Sequence, residues 1–373
     1  MVWTRKTRAT VWTSAASRRW KARSRFYAVG TLSLVCGSET SNCTGEGYNP
    51  VIQVKLFLIL ALGLLQSATP DDVVLGRLTL TLSESLTAQT FHMVDQLSQW
   101  DPATHRAYGR WTRTHPLDAA DRAMLETHAT MRRARGWGDG FEPAFIVNSS
   151  IEAAAASAVE RNLLTADEAA KERDILLNFA PKLASLRDDA RPAIAAFRAQ
   201  LLKDRDRLSP FVERLLRFAE ISGPRRVPIF IVANPEVGSG GGRATGNRVV
   251  IEVPSPDPMG TLLHETVHEM LASKAGEIRA AAESVGLSFV ALNEGITHAI
   301  APGLTDDPAQ RDWVSEQLGR YLQAGAKMTD VNVQSFAIAG LLRPQIRSAL
   351  DTGETFTTFL PKAVERWRVF SRR

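Results

Sequence analysis

The sequence predicts an α+β fold that is mostly helical, with a small β-sheet before one central helix. Two runs of β-branched apolar residues, 226–233 and 248–253, have the length and composition of strands. A shorter alternating run at 77–83 predicts a further strand. Segments with helical periodicity occupy most of the chain after residue 86. Few strands among many helices are typical of the α+β class.

The first 70 residues differ from the rest of the chain. Residues 1–50 show no apolar periodicity, and we expect them to be a disordered, non-native upstream extension. Residues 51–70 contain a positive start, an apolar run and small residues at its end, which is typical of a signal peptide at about 54–68. Because a signal peptide starts a protein, translation is expected to begin near Val51 or Val54. The alternative is a genuine long N-terminal region or a signal-anchor.

Composition excludes several classes of function. Eight of the 45 lysines and arginines lie in residues 1–50, and the rest of the chain is close to neutral, so no basic surface for nucleic acid is expected. Both cysteines, Cys36 and Cys43, also lie there, which excludes a disulfide framework or a Cys-ligated metal further on. The apolar run of the signal is too short for a stable membrane span. The signal therefore predicts a secreted or periplasmic protein.

The segment 71–223 is expected to form a helical N-terminal region. Thr165 with Glu168 forms a capping box, and Ser209-Pro210 is typical of a helix start. The break at 222–224 separates this region from a second one, 224–373. The helices predicted in the first region cover 86–99, 117–135, 150–163, 166–188, 191–206 and 210–221.

In the second region, a glycine-rich segment joins the strands at 226–233 and 248–253. A phosphate-binding loop is excluded there because no G-K-[ST] follows and no helix opens, so a hairpin loop is expected. Asp257 is a good N-cap and Pro258 suits the first helical position, which predicts a helix directly after the second strand. Helices near 307–326, 333–350 and 358–370 follow.

The predicted helix after Pro258 contains His264-Glu265-Thr266-Val267-His268. Histidines at i and i+4 lie one above the other, so both rings can reach one metal ion at about 2.0–2.1 Å. Glu265, beside the first histidine, can hold a water against that metal and accept its proton. This pattern predicts a zinc-dependent hydrolase.

Helical periodicity favours a metal site over a surface helix that carries two histidines by chance. His264 and His268 lie at the margin of an apolar arc, whereas Thr266 and Glu269 are expected to face away and Leu262 to lie on the outer side. The residues of the arc are Leu263, Val267, Met270 and Leu271. A metal in a cleft would sit at such a margin.

A second apolar helix is expected between Leu287 and Ala301. It carries Glu294, and an acid in so apolar a helix is costly to bury unless it is paired or bound to a metal. Gly295 would let the two helices approach closely. Glu283 is an alternative acid, although its position is typical of a solvated helix face.

The H-E-x-x-H motif followed by a helix with N-E-x-x-T resembles the gluzincin metallopeptidases, the clan that includes thermolysin-like enzymes. The resemblance covers the segment from Arg248 to Pro302. It implies a zincin-like active-site helix and one Zn²⁺ per chain, bound by His264, His268 and Glu294, with Glu265 as general base. It also implies an edge strand that binds an extended peptide, and 249–253 is expected to be that strand.

Two departures from the clan's pattern are Glu269, where an uncharged residue is usual, and a longer gap before the second helix. We therefore expect an exported zinc peptidase acting on a peptide or protein substrate; no pattern specifies its oligomeric state. The alternative is a zinc-binding or degenerate metallopeptidase-like domain that acts as an interaction module, which would not need Glu265.

His298 lies one turn after Glu294 and could contact the metal ligands, donate to an oxyanion or simply pack in the core. Tyr321 is a further candidate for the oxyanion donor. Surface or core-edge positions are expected for the four other histidines, which are His92, His105, His115 and His128.

Overall fold

The structure is a computed structural model that describes residues 72–372 apart from 102–103, 105, 237 and 302–312. It confirms the helix-rich α+β class, because helices cover both faces of one mixed sheet. The proposed upstream extension and signal peptide lie outside the described residues. Within the described part, no helix has the length and apolar character needed to cross a membrane.

The sheet has five strands in the order β1-β2-β3-β5-β4. They are β1 (Asp72–Leu75), β2 (Leu78–Ser83), β3 (Arg225–Ala233), β4 (Gly242–Thr245) and β5 (Arg248–Val253). β2, β3 and β5 are parallel, whereas β1 and β4 pair antiparallel at the two edges. β2 pairs directly with β3, so the sheet joins segments from before and after the break at 222–224.

Seven helices described before β3 and six described after β5 surround the sheet. The first group is α1 (Leu86–Leu97), α2 (Arg106–Trp111), α3 (Ala119–Arg135), α4 (Phe141–Phe145), α5 (Ile151–Glu160), α6 (Ala166–Phe179) and α7 (Ala184–Phe218). The second group is α8 (Pro258–Leu271), α9 (Ala275–Glu283), α10 (Phe289–Ile300), α11 (Trp313–Gln323), α12 (Val331–Thr352) and α13 (Phe356–Ser371). Short 3₁₀ turns precede α7 and α9.

The separate helices predicted at 191–206 and 210–221 are wrong, because α7 is one helix of 35 residues that contains Pro192 and Pro210. Each proline removes a backbone hydrogen bond. Buried side chains along the helix, such as Phe197 and Leu201, hold it against the sheet despite these losses. Burial of each such side chain contributes about 1.5–3 kcal/mol, comparable to the cost of a proline.

The sheet separates two hydrophobic cores because side chains alternate between the faces of a strand. Val249 and Ile251 of β5 belong to the same hydrophobic core as side chains of α7, α8, α10, α12 and α13. Val250 of the same strand and Val232 of β3 pack with the N-terminal helices α1 and α3–α6. α8, the helix after β5, therefore lies on the same face of the sheet as α7 and on the opposite face from α1 and α3–α6.

Candidate metal centre

α8 begins where the sequence predicted. The Asp257 side chain caps it by accepting the N–H of Gly260 at 2.8 Å, and Pro258 occupies the first turn. The expectation that Leu262, Thr266 and Glu269 face outward is wrong, because all three are buried. The helix packs against the sheet, α7 and α10, so it is enclosed on nearly every side.

Glu269, the acid that departs from the clan's pattern, is buried at the end of α8 next to β3. Its carboxylate accepts from the guanidinium of Arg225 at 2.9 Å. Burial raises the pKa of Glu269, although the hydrogen bond and charge of Arg225 oppose this rise. The charge at this position therefore has a local partner away from the histidines.

After the first turn of α8, the side chains that solvent can reach form a single stripe: Thr261, His264 and His268. α10 presents a comparable stripe, which contains Asn293, Glu294 and His298. Ser288 caps α10 by accepting the N–H of Ala291 at 3.1 Å. The two stripes meet, and this contact brings the predicted ligands together.

Donor atoms of the three predicted ligands lie close together, and each histidine faces a different oxygen of Glu294. The Nε2 atoms of His264 and His268 lie 3.1 Å apart. Glu294 places Oε2 at 3.2 Å from His264 Nε2 and Oε1 at 3.3 Å from His268 Nε2. Tetrahedral zinc with bonds of about 2.0–2.1 Å needs donor atoms roughly 3.3 Å apart. The residues present therefore fit a zinc ion, with no further protein ligand needed to hold it.

The electrostatics of the ligand cluster (His264, His268 and Glu294) favour an ionised carboxylate. Burial alone would raise the pKa of Glu294, but hydrogen bonds from His264 and His268 hold it well below its usual range. For His268, burial would lower the pKa, but the hydrogen bond that the ring donates to Glu294, together with the charges of Glu294 and Glu265, outweighs this effect and raises it. An anionic carboxylate facing two imidazoles is the charge arrangement that a divalent cation binds.

α10 also orients one ligand through its second nitrogen. The Nδ1 atom of His268 lies 3.1 Å from the Asn293 amide and 3.3 Å from the hydroxyl of Thr297, which is fully buried. When Nε2 faces a metal, Nδ1 carries the proton and the Thr297 oxygen can accept it. Such outer contacts fix the ring orientation of a metal-binding histidine.

Glu265 lies on α8 between the two histidines in sequence and is only 8% exposed. Its negative charge contributes to the raised pKa of His268, so the carboxylate acts electrostatically on the ligand cluster. Its role as the general base stays a prediction from the motif.

The two other candidates from the second region lie elsewhere. Glu283 is exposed at the end of α9 and does not belong to the ligand cluster, in agreement with a solvated position. Tyr321 stacks on Phe336 with ring centroids 5.7 Å apart, and Phe336 in turn stacks on His298 at 4.6 Å. Tyr321 is therefore separated from the histidines by one aromatic ring.

His298 contacts the cluster at its margin. Its ring centroid lies 4.7 Å from that of His264, and its Nε2 lies 3.8 Å from Glu294 Oε2. Burial, and then the charge of His264, lower the pKa of His298 to about 3. The ring is therefore neutral near neutral pH.

The strand expected to bind a peptide was assigned wrongly. β5, which contains 249–253, is paired on both sides, with β3 and with β4. The free edge on this side of the sheet is β4, which crosses the start of α8, because a Cβ on Gly242 would lie 2.8 Å from Thr261 Cγ2. β4 escaped prediction because its four residues lie within the glycine-rich segment and show no apolar alternation.

Sequence reasoning also missed a buried ionic network on the other face of the sheet. His92 and His128, expected at surface or core-edge positions, are 2% and 0% exposed. Arg243 of β4 contacts Asp95 at 2.9 Å and Glu142 at 2.5 Å. The other members are Arg132, Glu172 and Glu252. The partners lie far apart in the chain, so no local pattern reveals them.

A scan of the chain against protein families finds no match, and searches of curated proteins and of solved structures find none either.

Proposed function

We propose that this protein is a zinc-dependent peptidase of the gluzincin type that is exported and acts on peptide or protein substrates. One observation carries the proposal: the Nε2 atoms of His264 and His268 lie 3.1 Å apart, and each lies 3.2–3.3 Å from one oxygen of Glu294, which is close to the donor separation of tetrahedral zinc. The shielded Glu265 beside them supports catalysis rather than metal storage, because a purely structural site has no use for a general base.

The proposed chemistry is distributed over the two helices. When bound, Zn²⁺ supplies a Lewis acid and lowers the pKa of a coordinated water to about 7. Glu265 accepts a proton from the attacking water and then returns it to the leaving amine. The Thr297 hydroxyl accepts from Nδ1 of His268 and holds that ring, and Glu294 balances the positive charge of the centre.

Substrate binding is assigned to β4. The hairpin β4–β5 turns at Gly246 and Asn247, whose φ angles of 51° and 69° define a two-residue type I′ turn. The N–H of Glu252 donates to the carbonyl of Gly241, and hydrogen-bonded pairs alternate along an antiparallel ladder. Gly242 and Ala244 therefore direct their backbone groups away from β5, where an extended peptide can pair with them.

The test is cleavage of a peptide library by the purified chain with and without a zinc chelator, for wild type and Glu265→Gln. The variant keeps its size but cannot accept the proton, so we expect turnover to fall by about 10²–10⁴ while zinc content stays near one per chain. Glu283→Gln, at an exposed acid of α9, is the matched control and should cleave normally.

Two results would decide against the peptidase. Wild-type cleavage by zinc-loaded Glu265→Gln would refute the mechanism. Zinc binding by wild type without cleavage of any library member would favour the zinc-binding interaction module instead.

A further inference from the structure

The two histidine ligands are held in different ways. His268 has hydrogen-bonding partners for its second nitrogen, Asn293 and Thr297 on α10. Apart from its Nε2 contacts with His268 and Glu294, the described contacts of His264 are ring contacts, one of which is with His298 at 4.7 Å. A ligand ring that is not fixed by its neighbours can rotate out of the binding geometry, which weakens the metal site.

His298 is itself firmly supported by aromatic rings. It stacks on Phe336 with a centroid distance of 4.6 Å and an interplanar angle of 13°. Trp313 contacts it at 5.4 Å. Phe336 stacks in turn on Tyr321. These rings form a continuous column from α11 and α12 to the first metal ligand, which we call the aromatic column (Tyr321, Phe336, His298).

The surroundings of the two ring nitrogens of His298 indicate how its ring is oriented in the aromatic column. Nδ1 is buried and has no hydrogen-bonding partner among the described residues, whereas Nε2 faces Glu294 Oε2 at 3.8 Å. A proton on Nδ1 would leave a buried donor unsatisfied and turn the Nε2 lone pair toward a carboxylate. The proton therefore belongs on Nε2, where its dipole attracts the carboxylate, although 3.8 Å is too long for a direct hydrogen bond.

We propose that His298 is a positioning residue for the metal centre, which holds the His264 ring in its binding orientation by ring contact. The inference rests on the proposed metal centre but not on peptide cleavage. The contact acts on His264 in the same sense as Asn293 and Thr297 act on His268, so each ligand of α8 is oriented by α10.

The test compares His298→Leu, which fills the volume without a ring, with His298→Phe, which keeps the ring and loses both nitrogens. Zinc affinity is measured by competition with a chromophoric chelator, and the ligand field is followed by visible absorption of the Co²⁺-loaded chain. We expect His298→Leu to weaken zinc binding by about 10- to 100-fold and to alter the Co²⁺ spectrum. His298→Phe should recover most of the affinity and the wild-type spectrum.

Two controls separate positioning from general stability. His115→Leu removes an exposed histidine that is stacked on Trp111 at 4.1 Å, away from the ligands, and should leave zinc affinity unchanged. Phe336→Leu removes the ring behind His298 and should weaken zinc binding by less than His298→Leu does. The melting temperature of each metal-free variant shows whether the fold is intact; should His298→Leu fail to fold, Phe336→Leu carries the test.

Wild-type zinc affinity in folded His298→Leu would overturn the inference, and so would equal losses in His298→Leu and His298→Phe. Wild-type affinity in Phe336→Leu, where that variant carries the test, would do the same. Absence of zinc binding in the wild-type chain would refute the metal centre, and this inference with it. Zinc binding without peptidase activity would refute only the proposed function.

Discussion

His128 should make the stability of this protein fall between neutral and mildly alkaline pH. Its Nδ1 lies 3.0 Å from Glu172 Oε2 and its Nε2 lies 3.2 Å from Asp95 Oδ1, and all three side chains are 0% exposed. Both ring nitrogens face carboxylates, so both must donate, and the ring must be protonated. Burial alone would lower the pKa of His128, but the charge of Glu172 and the hydrogen bond to Asp95 raise it from 6.5 to about 9.

The sign follows from comparing folded and unfolded chains. Below pH 6.5 both forms hold the proton, so the full stabilisation is present. As the pH rises from there through about 9, the unfolded chain releases the proton first and the free energy of unfolding falls. A pKa difference of this size corresponds to about 3 kcal/mol, which is a large part of the roughly 5–15 kcal/mol typical of a folded domain.

The assay is urea unfolding followed by tryptophan fluorescence at several pH values from 6 to 10, combined with histidine ring-proton NMR of the native protein. The NMR titration assigns the effect to His128 without any mutation. His115→Gln, at an exposed ring, should keep the wild-type pH dependence. A His128 ring that titrates at or below its ordinary pKa in the folded chain would refute the reasoning.

Three further predictions concern packing, substrate binding and processing. Gly295→Ala would place a methyl group 2.6 Å from Ile338 Cγ2, so we expect urea unfolding to show a free energy of unfolding lower by about 1–3 kcal/mol. In the control, Gly276→Ala, the methyl group would have nothing within 4 Å, and the free energy of unfolding should rise by about 0.5–1 kcal/mol. Equal effects of the two substitutions would contradict the packing argument. Ala244→Pro removes an outward N–H from β4 and should raise KM for extended peptides with zinc content unchanged, and an unaltered KM would remove β4 from substrate binding. The exported protein should begin near Ala68–Asp71, and mass-spectrometric peptides from residues 1–50 in the mature protein would show otherwise.

The clustering of His264, His268 and Glu294 agrees with the ligand set that the sequence and the gluzincin resemblance implied, although no metal binding is shown. His264 and His268 are one helical turn apart, and both helices carry their own start signals, Asp257 and Ser288. The approach of α8 to α10 depends on tertiary packing, which the sequence only suggested. The expectation that Gly295 lets α8 and α10 approach is wrong, because a Cβ there would meet Ile338 of α12 first.

Features that depend on distant partners were not predictable. The sequence gives no sign that Asp95, Arg132 and Arg243 differ from ordinary polar residues, yet all three lie in the buried network. Arg243 is 148 positions from Asp95 in the chain. Likewise, Pro192 and Pro210 are local signals for helix ends that burial along the sheet overrides. Motifs whose residues lie close in sequence can be predicted from one chain. Ion pairs and packing contacts between residues far apart in sequence can be seen only in the folded structure.

The anchoring of Arg243 has a consequence for how this protein can be divided. A fragment beginning at residue 224 would retain α8 and β4, but it would lose Asp95 and Glu142, two carboxylates in contact with the guanidinium of Arg243. It would also expose the flank of β3 that β2 covers. Such a fragment would carry an unpaired cation and a bare strand edge, which together favour aggregation. The segment before the break at 222–224 therefore supports the fold of the segment after it, and a truncation that removes the first segment should yield insoluble protein.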